Sequence, residues 1–403
     1  MSSLSRTAAE ITAAAVFELF PDVKLWGGEG TAVGFSYDLF FPHPINPDTM
    51  ALIEEKMRQI VREKRQIRTL EMVPFSAREL LKAQGHHARA QELEGSGLVE
   101  LIQIGSFYDL SQGPHLQNTA ELAAFKLRMI EPLEGKGIRI WGSAASSKQE
   151  LKIFLKKIET YSTQNHVALG EKFQLWTELE EGIVWLPRGL ALREKIMALL
   201  KKNLFHEVLE VSGVPTHSSL AKKLGKFPIR LGELKVITND APDLESALFE
   251  ASAETQIQIS SFFLVDQFEA ELNSSLQSIG KTLIILGFKS CVKVSGRKHS
   301  EKPIQTILNA FEALSLVGEF EAREGQTWQV DFLIEDGLGR KWPALSLSQI
   351  DTRAASGLAK NSPLAGFFLT ASVEKISALL VERYLVEMNC EQLMRRLDQM
   401  VQL

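Results

Sequence analysis

Residues 105–127 read GSFYDLSQGPHLQNTAELAAFKL. An aspartate, a serine, a Gly-Pro turn and a histidine fall within seven residues, Asp109 to His115. Hydrolysis near neutral pH needs a group that can shuttle a proton, and histidine is the side chain whose ordinary pKa suits the task. A serine serves as nucleophile only where an adjacent base activates it. Ser111 and His115 stand four positions apart, so contact between them requires the backbone to turn.

Moving outward, GLVELIQIGSFYDL (97–110) reads as a strand entering a turn. ALIEEKMRQIVREKRQI (51–67) places Ile53, Met57, Ile60 and Val61 on one helical stripe with charges opposite. Residues 147–175 predict a connecting helix with Leu151, Phe154, Leu155 and Ile158 on its apolar side. GIVWLPRGLALREKIMALLKKNLF (182–205) gives a strand, a Pro-Arg-Gly turn and a long helix. TWQVDFLIEDGLGRKWPALSL (327–347) has the alternation and the Asp336-Gly337 and Gly339 turn chemistry of a β-hairpin. SVEKISALLVERYLVEM (372–388) returns to helical spacing. Strands flanked by helices without regular βαβ alternation predict an α+β chain.

The 403 residues fit two or three domains. With 45% hydrophobic and 24% charged residues, the composition is that of an ordinary globular protein. The apolar run TLIILGF (282–288) is far too short to span a bilayer, and Glu10 and Glu18 interrupt the N-terminal apolar stretch, so the expected location is the cytoplasm. Only Cys291 and Cys390 are present, which excludes a disulfide framework and a cysteine-based zinc cluster within one chain. The net charge of −5 is not that of a protein living on nucleic acid. Residues 190–235 are locally basic, however, with nine Lys/Arg against four Glu, and Lys201, Lys202, Lys222 and Lys223 are the candidates for a phosphate-facing surface.

These blocks, in this order, resemble threonyl-tRNA synthetase, a class II aminoacyl-tRNA synthetase. LFPDVKLWGGEGTAVGFSYDL (19–39) is similar to the opening of that family's editing domain, and FYDLSQGPHLQNT to its Asp-x-Cys-x-Gly-Pro-His motif. RIWGSAA (139–145) is similar to the segment closing the domain, NHVALGEKFQLW (165–176) to the linker helix, and VDFLIEDGLGRKW to the family's hairpin. The resemblance implies an editing-type α/β sandwich at 1–146 and a linker helix at 147–176. A class II-like aminoacylation domain at 177–403 follows, an antiparallel sheet with flanking helices. After the helix at 372–388 only ~15 residues remain, against ~50 or more for an anticodon-binding domain, so a truncated, degenerate paralogue is expected.

The family's chemistry maps poorly. Its editing pair of histidines, spaced H-x-x-x-H, falls on Arg6 and Glu10, and its motif cysteine on Ser111. Asp109 and His115 persist as residual editing-site candidates. The zinc-binding histidine positions fall near Ser260 and Asn361, and the cysteine-bearing segment is missing, so no metal is expected. The arginines that grip ATP phosphates bidentately fall on Thr238, followed by Asp240 at the family's acid, and on Lys375. Lysine keeps the charge but not the planar fork. The family's threonine-contacting glutamine maps to Ser348, or to Gln349 with a one-residue shift.

The reading that follows is a catalytically silent relative, without cofactor, that binds tRNA or a protein such as the full-length synthetase. It would pair with a second copy through the helix and strand at 190–211, whose helical half carries Ile196, Met197, Leu199, Leu200 and Leu204. The alternatives are a divergent threonine–tRNA ligase, which would need zinc and ATP with magnesium, and a free-standing aminoacyl-tRNA editing hydrolase.

Overall fold

The computed structural model describes residues 3–31, 34–42, 47–93, 97–111, 113–133, 137–179, 182–205, 208–210, 227–238, 247–296, 307, 318–322, 327–350 and 364–402. Asp240, Lys222, Lys223 and Asn361 therefore lie outside the described residues. The chain divides into two compact units, residues 1–160 and 161–403.

The first unit begins with α1 (Ser3–Leu19), whose Ala8, Ala9, Ile11 and Ala13 to Val16 are all buried. A helix apolar on most of its circumference belongs inside a core. It is followed by β1 (Lys24–Thr31), β2 (Gly34–Phe40), α2 (Pro47–Arg62), β3 (Ile67–Met72), α3 (Pro74–Ala83), α4 (His87–Gln91), β4 (Val99–Ile104), β5 (Phe107–Leu110), β6 (Ala124–Pro132), β7 (Gly137–Ala145) and α5 (Lys148–Gln164), whose residues from Tyr161 on belong to the second unit. One antiparallel sheet has the order β1-β2-β7-β6, and a second runs β3-β4-β5. The stripe of α2 is buried at Ile53, Met57 and Ile60, with Val61 partly so, against Ile11, Leu25 and Phe35. Gly34 has φ +136°, and a Cβ there would stand 2.0 Å from the Gly142 carbonyl oxygen, so only glycine lets β2 approach β7 this closely. In the segment 97–110 the expected strand does enter a turn, and a second strand follows it. Gly105, at φ +64°, reverses the chain and makes β4 and β5 a hairpin.

The second unit contains α6 (His166–Lys172), β8 (Trp176–Leu179), β9 (Gly182–Trp185), α7 (Pro187–Leu204), β10 (Leu209–Glu210), β11 (Ile229–Thr238), β12 (Ala253–Leu264), α8 (Phe268–Leu286), β13 (Ser290–Gly296), β14 (Gly318–Ala322), β15 (Gln329–Glu335), β16 (Lys341–Gln349), β17 (Leu364–Ser372), α9 (Val373–Tyr384) and α10 (Cys390–Gln402). Eight of its described strands form a sheet of order β10-β11-β12-β17-β16-β15-β13-β14, and β8 and β9 pair with each other as a separate antiparallel ribbon. The β10–β11 and β13–β14 pairs are parallel and the other neighbours antiparallel. Mixed helix and mostly antiparallel sheet make the chain α+β.

Pro187-Arg188-Gly189 forms the first turn of α7 rather than a separate turn, because proline at the first helical position has no amide hydrogen to leave unpaired. The apolar residues of α7 are spent inside the unit: Leu192, Ile196, Leu199, Leu200 and Leu204 are buried in a core shared with Phe263, Leu276 and Phe332. Leu393, Leu397 and Met400 of α10, which packs on α7, join the same core. Most of the apolar side chains of α7 are thus buried within the chain, while Leu190 is 44% exposed. Among the described residues no helix is long and apolar enough to cross a membrane.

Candidate functional site

In the first unit Asp109, on β5, is wholly buried and accepts three hydrogen bonds. Tyr37 Oη donates to its Oδ2 at 2.5 Å, while Arg89 Nε at 2.8 Å and the Leu110 amide at 2.7 Å donate to Oδ1. A buried carboxylate persists only when its lone pairs are met in this way. The sequence prepares the neighbours. β2 points Tyr37 inward beside Phe35, and the glycines of β1 make room for the partners. A Cβ on Gly28 would come within 2.2 Å of the Tyr37 ring, and one on Gly27 within 2.9 Å of Arg89 Nη1. Gly27, Gly28, Ser36, Asp38, Arg89 and Arg139 help line a cavity of about 200 Å³, where Arg139 grips Asp38 bidentately at 2.6 and 2.8 Å.

Around Asp109 stand buried polar atoms that have no hydrogen-bond partner among the described residues. Glu10, on α1, is 2% exposed, and its Oε2 has no hydrogen-bond partner. Burial, and secondarily the neighbouring Asp109, hold its carboxyl well above the usual carboxylate range. His86 is buried between Phe17 and Phe107, with ring centroids 5.4 and 6.0 Å away. Neither of its ring nitrogens is partnered, and burial lowers its pKa. Two aromatic rings thus enclose His86, whereas the adjacent His87 is exposed. Arg89 Nη2 is likewise buried without a partner.

His115 has both ring nitrogens buried and unpartnered. Burial, then the nearby Arg6 charge, pushes it down to about 4. Arg6 donates to the Pro114 carbonyl at 3.4 Å, and its guanidinium lies close over Gly113. Ser111 Oγ donates to the Gly113 carbonyl at 3.3 Å, and among the described residues no hydrogen bond joins it to His115. Asp109, Ser111 and His115 are thus in one region, with Ser111 bonded to its own turn. Sequence reading missed Tyr37, Arg89 and the burial of His86; the run of glycines in WGGEG (26–30) was the available signal.

In the second unit Thr238 is the exposed last residue of β11, paired with Ala253 at the start of β12. Lys375 lies in the first turn of α9, where Ser372 caps its amide at 3.2 Å. Its ammonium is 3.1 Å from Glu254 Oε2, in a pair only 17% and 7% exposed. The adjacent Glu374 accepts from the Thr255 amide at 2.6 Å and from Arg193 Nε at 3.3 Å. Ser260 is buried and accepts from Gln258 Nε2 at 3.3 Å. A neutral hydroxyl so engaged does not fit a zinc ligand, and among the described residues no three His, Cys, Asp or Glu side chains are placed to hold a metal ion. Ser348 is half-buried and Gln349 exposed. Lys201 pairs with Glu210 at 2.8 Å, and Lys202 donates to the Val401 carbonyl at 2.6 Å, so both have partners within the chain.

Residues 99–145, the hairpin and sheet that carry Asp109 and His115, match the family described as the threonyl and alanyl tRNA synthetase second additional domain. The chain is 25% identical to the threonine–tRNA ligase of Geobacter sp. (strain M21), a similarity covering 94% of this chain and 72% of that protein. It is 24% identical to the threonine–tRNA ligase of Clostridioides difficile (strain 630), covering 83% and 63%. The solved RNA binding domain of threonyl-tRNA synthetase from Cryptosporidium parvum Iowa II is 16% identical with a TM-score of 0.46, over 54% of this chain and 72% of that one. The chain is a homologue of the threonyl-tRNA synthetases over most of its length.

Proposed function

We propose that this chain is a cytoplasmic, non-activating relative of threonyl-tRNA synthetase that binds tRNA or a protein partner without forming an aminoacyl adenylate. The observation that carries the reading is the pair between Lys375 and Glu254. Adenylate formation needs fixed positive charge aimed at the α- and γ-phosphates. In this chain the cation at the position of a phosphate-gripping arginine is lysine, and a nearly buried carboxylate already holds it. Thr238 supplies no charge at the other position. Ser260 offers no metal ligand for an amino-acid anchor, and no zinc or nucleotide cofactor belongs to the proposal. The first unit is consistent with binding rather than turnover, because Ser111 hydrogen bonds to its own turn and Arg6 crosses Gly113-Pro114.

The test has two arms. Threonine-dependent exchange of pyrophosphate into ATP is expected to stay at background, and detectable exchange would establish the ligase alternative. Bulk tRNA is expected to bind with an affinity that falls as salt rises. Absent exchange together with absent tRNA binding would leave the protein partner as the function.

A further inference from the structure

We propose that the second unit carries a binding site for a small amphiphile with an anionic end, a carboxylate or phosphate monoester. The site is a cavity of about 630 Å³ between the start of β13, the tip of the β15–β16 hairpin and the second half of α9. That volume falls in the range of small-molecule sites. Arg383 and Lys375 are eight residues apart on α9, roughly 12 Å along a helix rising 1.5 Å per residue, so the cavity is separate from the Lys375–Glu254 pair.

The lining divides into an apolar floor and a charged rim. Phe288, Leu333, Ile334 and Leu379 supply the floor, as ligand cavities require for most of their contact area. Two acids of the wall are already saturated. Glu382 accepts from Tyr161 Oη at 2.6 Å, the His166 amide at 3.1 Å, His166 Nδ1 at 2.8 Å and the Gly337 amide at 2.9 Å. Asp336 accepts from the Leu338 and Arg340 amides, Arg340 Nε and Trp342 Nε1, at 2.6 to 3.0 Å. The carbonyl end of α8 beside the cavity is capped as well, with Tyr384 Oη donating to the Leu286 carbonyl at 2.9 Å.

What remains on the rim is Arg383, Lys289 and Glu335. Among the described residues Arg383 makes no hydrogen bond or ion pair, resting against the Tyr384 ring at 5.7 Å, and Lys289 makes none either. Among the described residues Glu335 is the one acid of the lining with no hydrogen bond or ion pair, next along its strand from Ile334, which pairs with Ser290. Two unengaged cations against one exposed carboxylate favour an anion, and the guanidinium fork can hold two of its oxygens.

Cys291 also lines the cavity and supplies the reporter. With Cys390→Ala it becomes the sole thiol of the full chain. The measurement is the rate of its alkylation by N-ethylmaleimide in the presence of octanoate, octyl phosphate, 1-octanol or octylammonium. Octanoate or octyl phosphate is expected to slow alkylation saturably, and whichever binds tighter assigns the anionic group. Arg383→Ala should weaken that protection about tenfold or more, the worth of one charged hydrogen bond, with the thermal midpoint unchanged. If Arg383→Ala unfolds the chain, Lys289→Gln reads the same charge from the strand end. Equal protection by octanol or octylammonium, protection that survives loss of the cation, or no protection by any probe would overturn the proposal.

Discussion

Lys375 Nζ and Glu254 Oε2 lie 3.1 Å apart at the start of α9, with little of either side chain exposed. A pair so placed is worth little against apolar substitutes, yet removing one member strands a buried charge. Lys375→Met is therefore expected to destabilise the second unit by about 2–3 kcal/mol, and the double variant Glu254→Gln, Lys375→Met by clearly less. Urea titrations of the two singles and the double supply the cycle. A loss in the double variant equal to the sum of the two single losses would mean the pair has no coupling energy and does not lock the lysine.

Glu10 gives the first unit a stability that falls toward alkaline pH. Its folded pKa is raised by burial and by Asp109, so its contribution is fully present below the ordinary glutamate pKa, about 4.3, and is lost as pH rises through the folded value. Glu10→Gln imitates the protonated form without that loss. The variant should melt a few degrees above the parent near pH 8, the scale of about 1 kcal/mol in a domain of this size, and coincide with it below about pH 4. Thermal melts from pH 4 to 9 make the comparison.

His115 acts in the opposite direction. Its folded pKa is lowered to about 4, first by burial and then by Arg6, so the stability it contributes is fully present above its ordinary value and falls away as pH drops from about 6.5 toward 4. His115→Leu should flatten the acid limb of the melting curve while leaving the midpoint at pH 8 within a degree or two. An unchanged acid limb would show that His115 titrates like an exposed histidine.

The α+β class, the hairpin around Asp336–Arg340 and the stripe of α2 were legible because alternation and turn residues act locally. In 97–110 a strand entering a turn is legible, but a glycine in a β-like run does not announce that a second strand follows it, as β5 follows Gly105. The unit-1 cluster was legible only in Asp109 and its motif. Tyr37 and Arg89 come from distant segments, and nothing in HARAQ marks an arginine that folding will bury against an aspartate. The apolar surplus of α7 likewise reads the same whether a second copy or the chain's own α10 covers it, since hydrophobicity names no partner.

Glu382 is the acceptor on which α6, α9 and the hairpin tip converge. Its two oxygens receive the His166 amide and Nδ1, the Tyr161 hydroxyl and the Gly337 amide, inside a shell where Arg340 spans Asp336 and Tyr161 at 2.6 and 3.0 Å. Glu382→Gln removes the charge and turns one oxygen into a donor facing donors. Glu382→Ala leaves several buried groups unsatisfied, each costing about 1–3 kcal/mol. The alanine variant is thus expected to lose about 3–5 kcal/mol or to fail to fold, and the glutamine variant to lose less. Denaturant midpoints measured alongside Arg340→Met, which spares the Glu382 acceptors, separate the two effects. Arg340→Met should cost less than Glu382→Ala, and the reverse order would make the arginine, with its Trp342 and Tyr161 faces, the centre of the cluster.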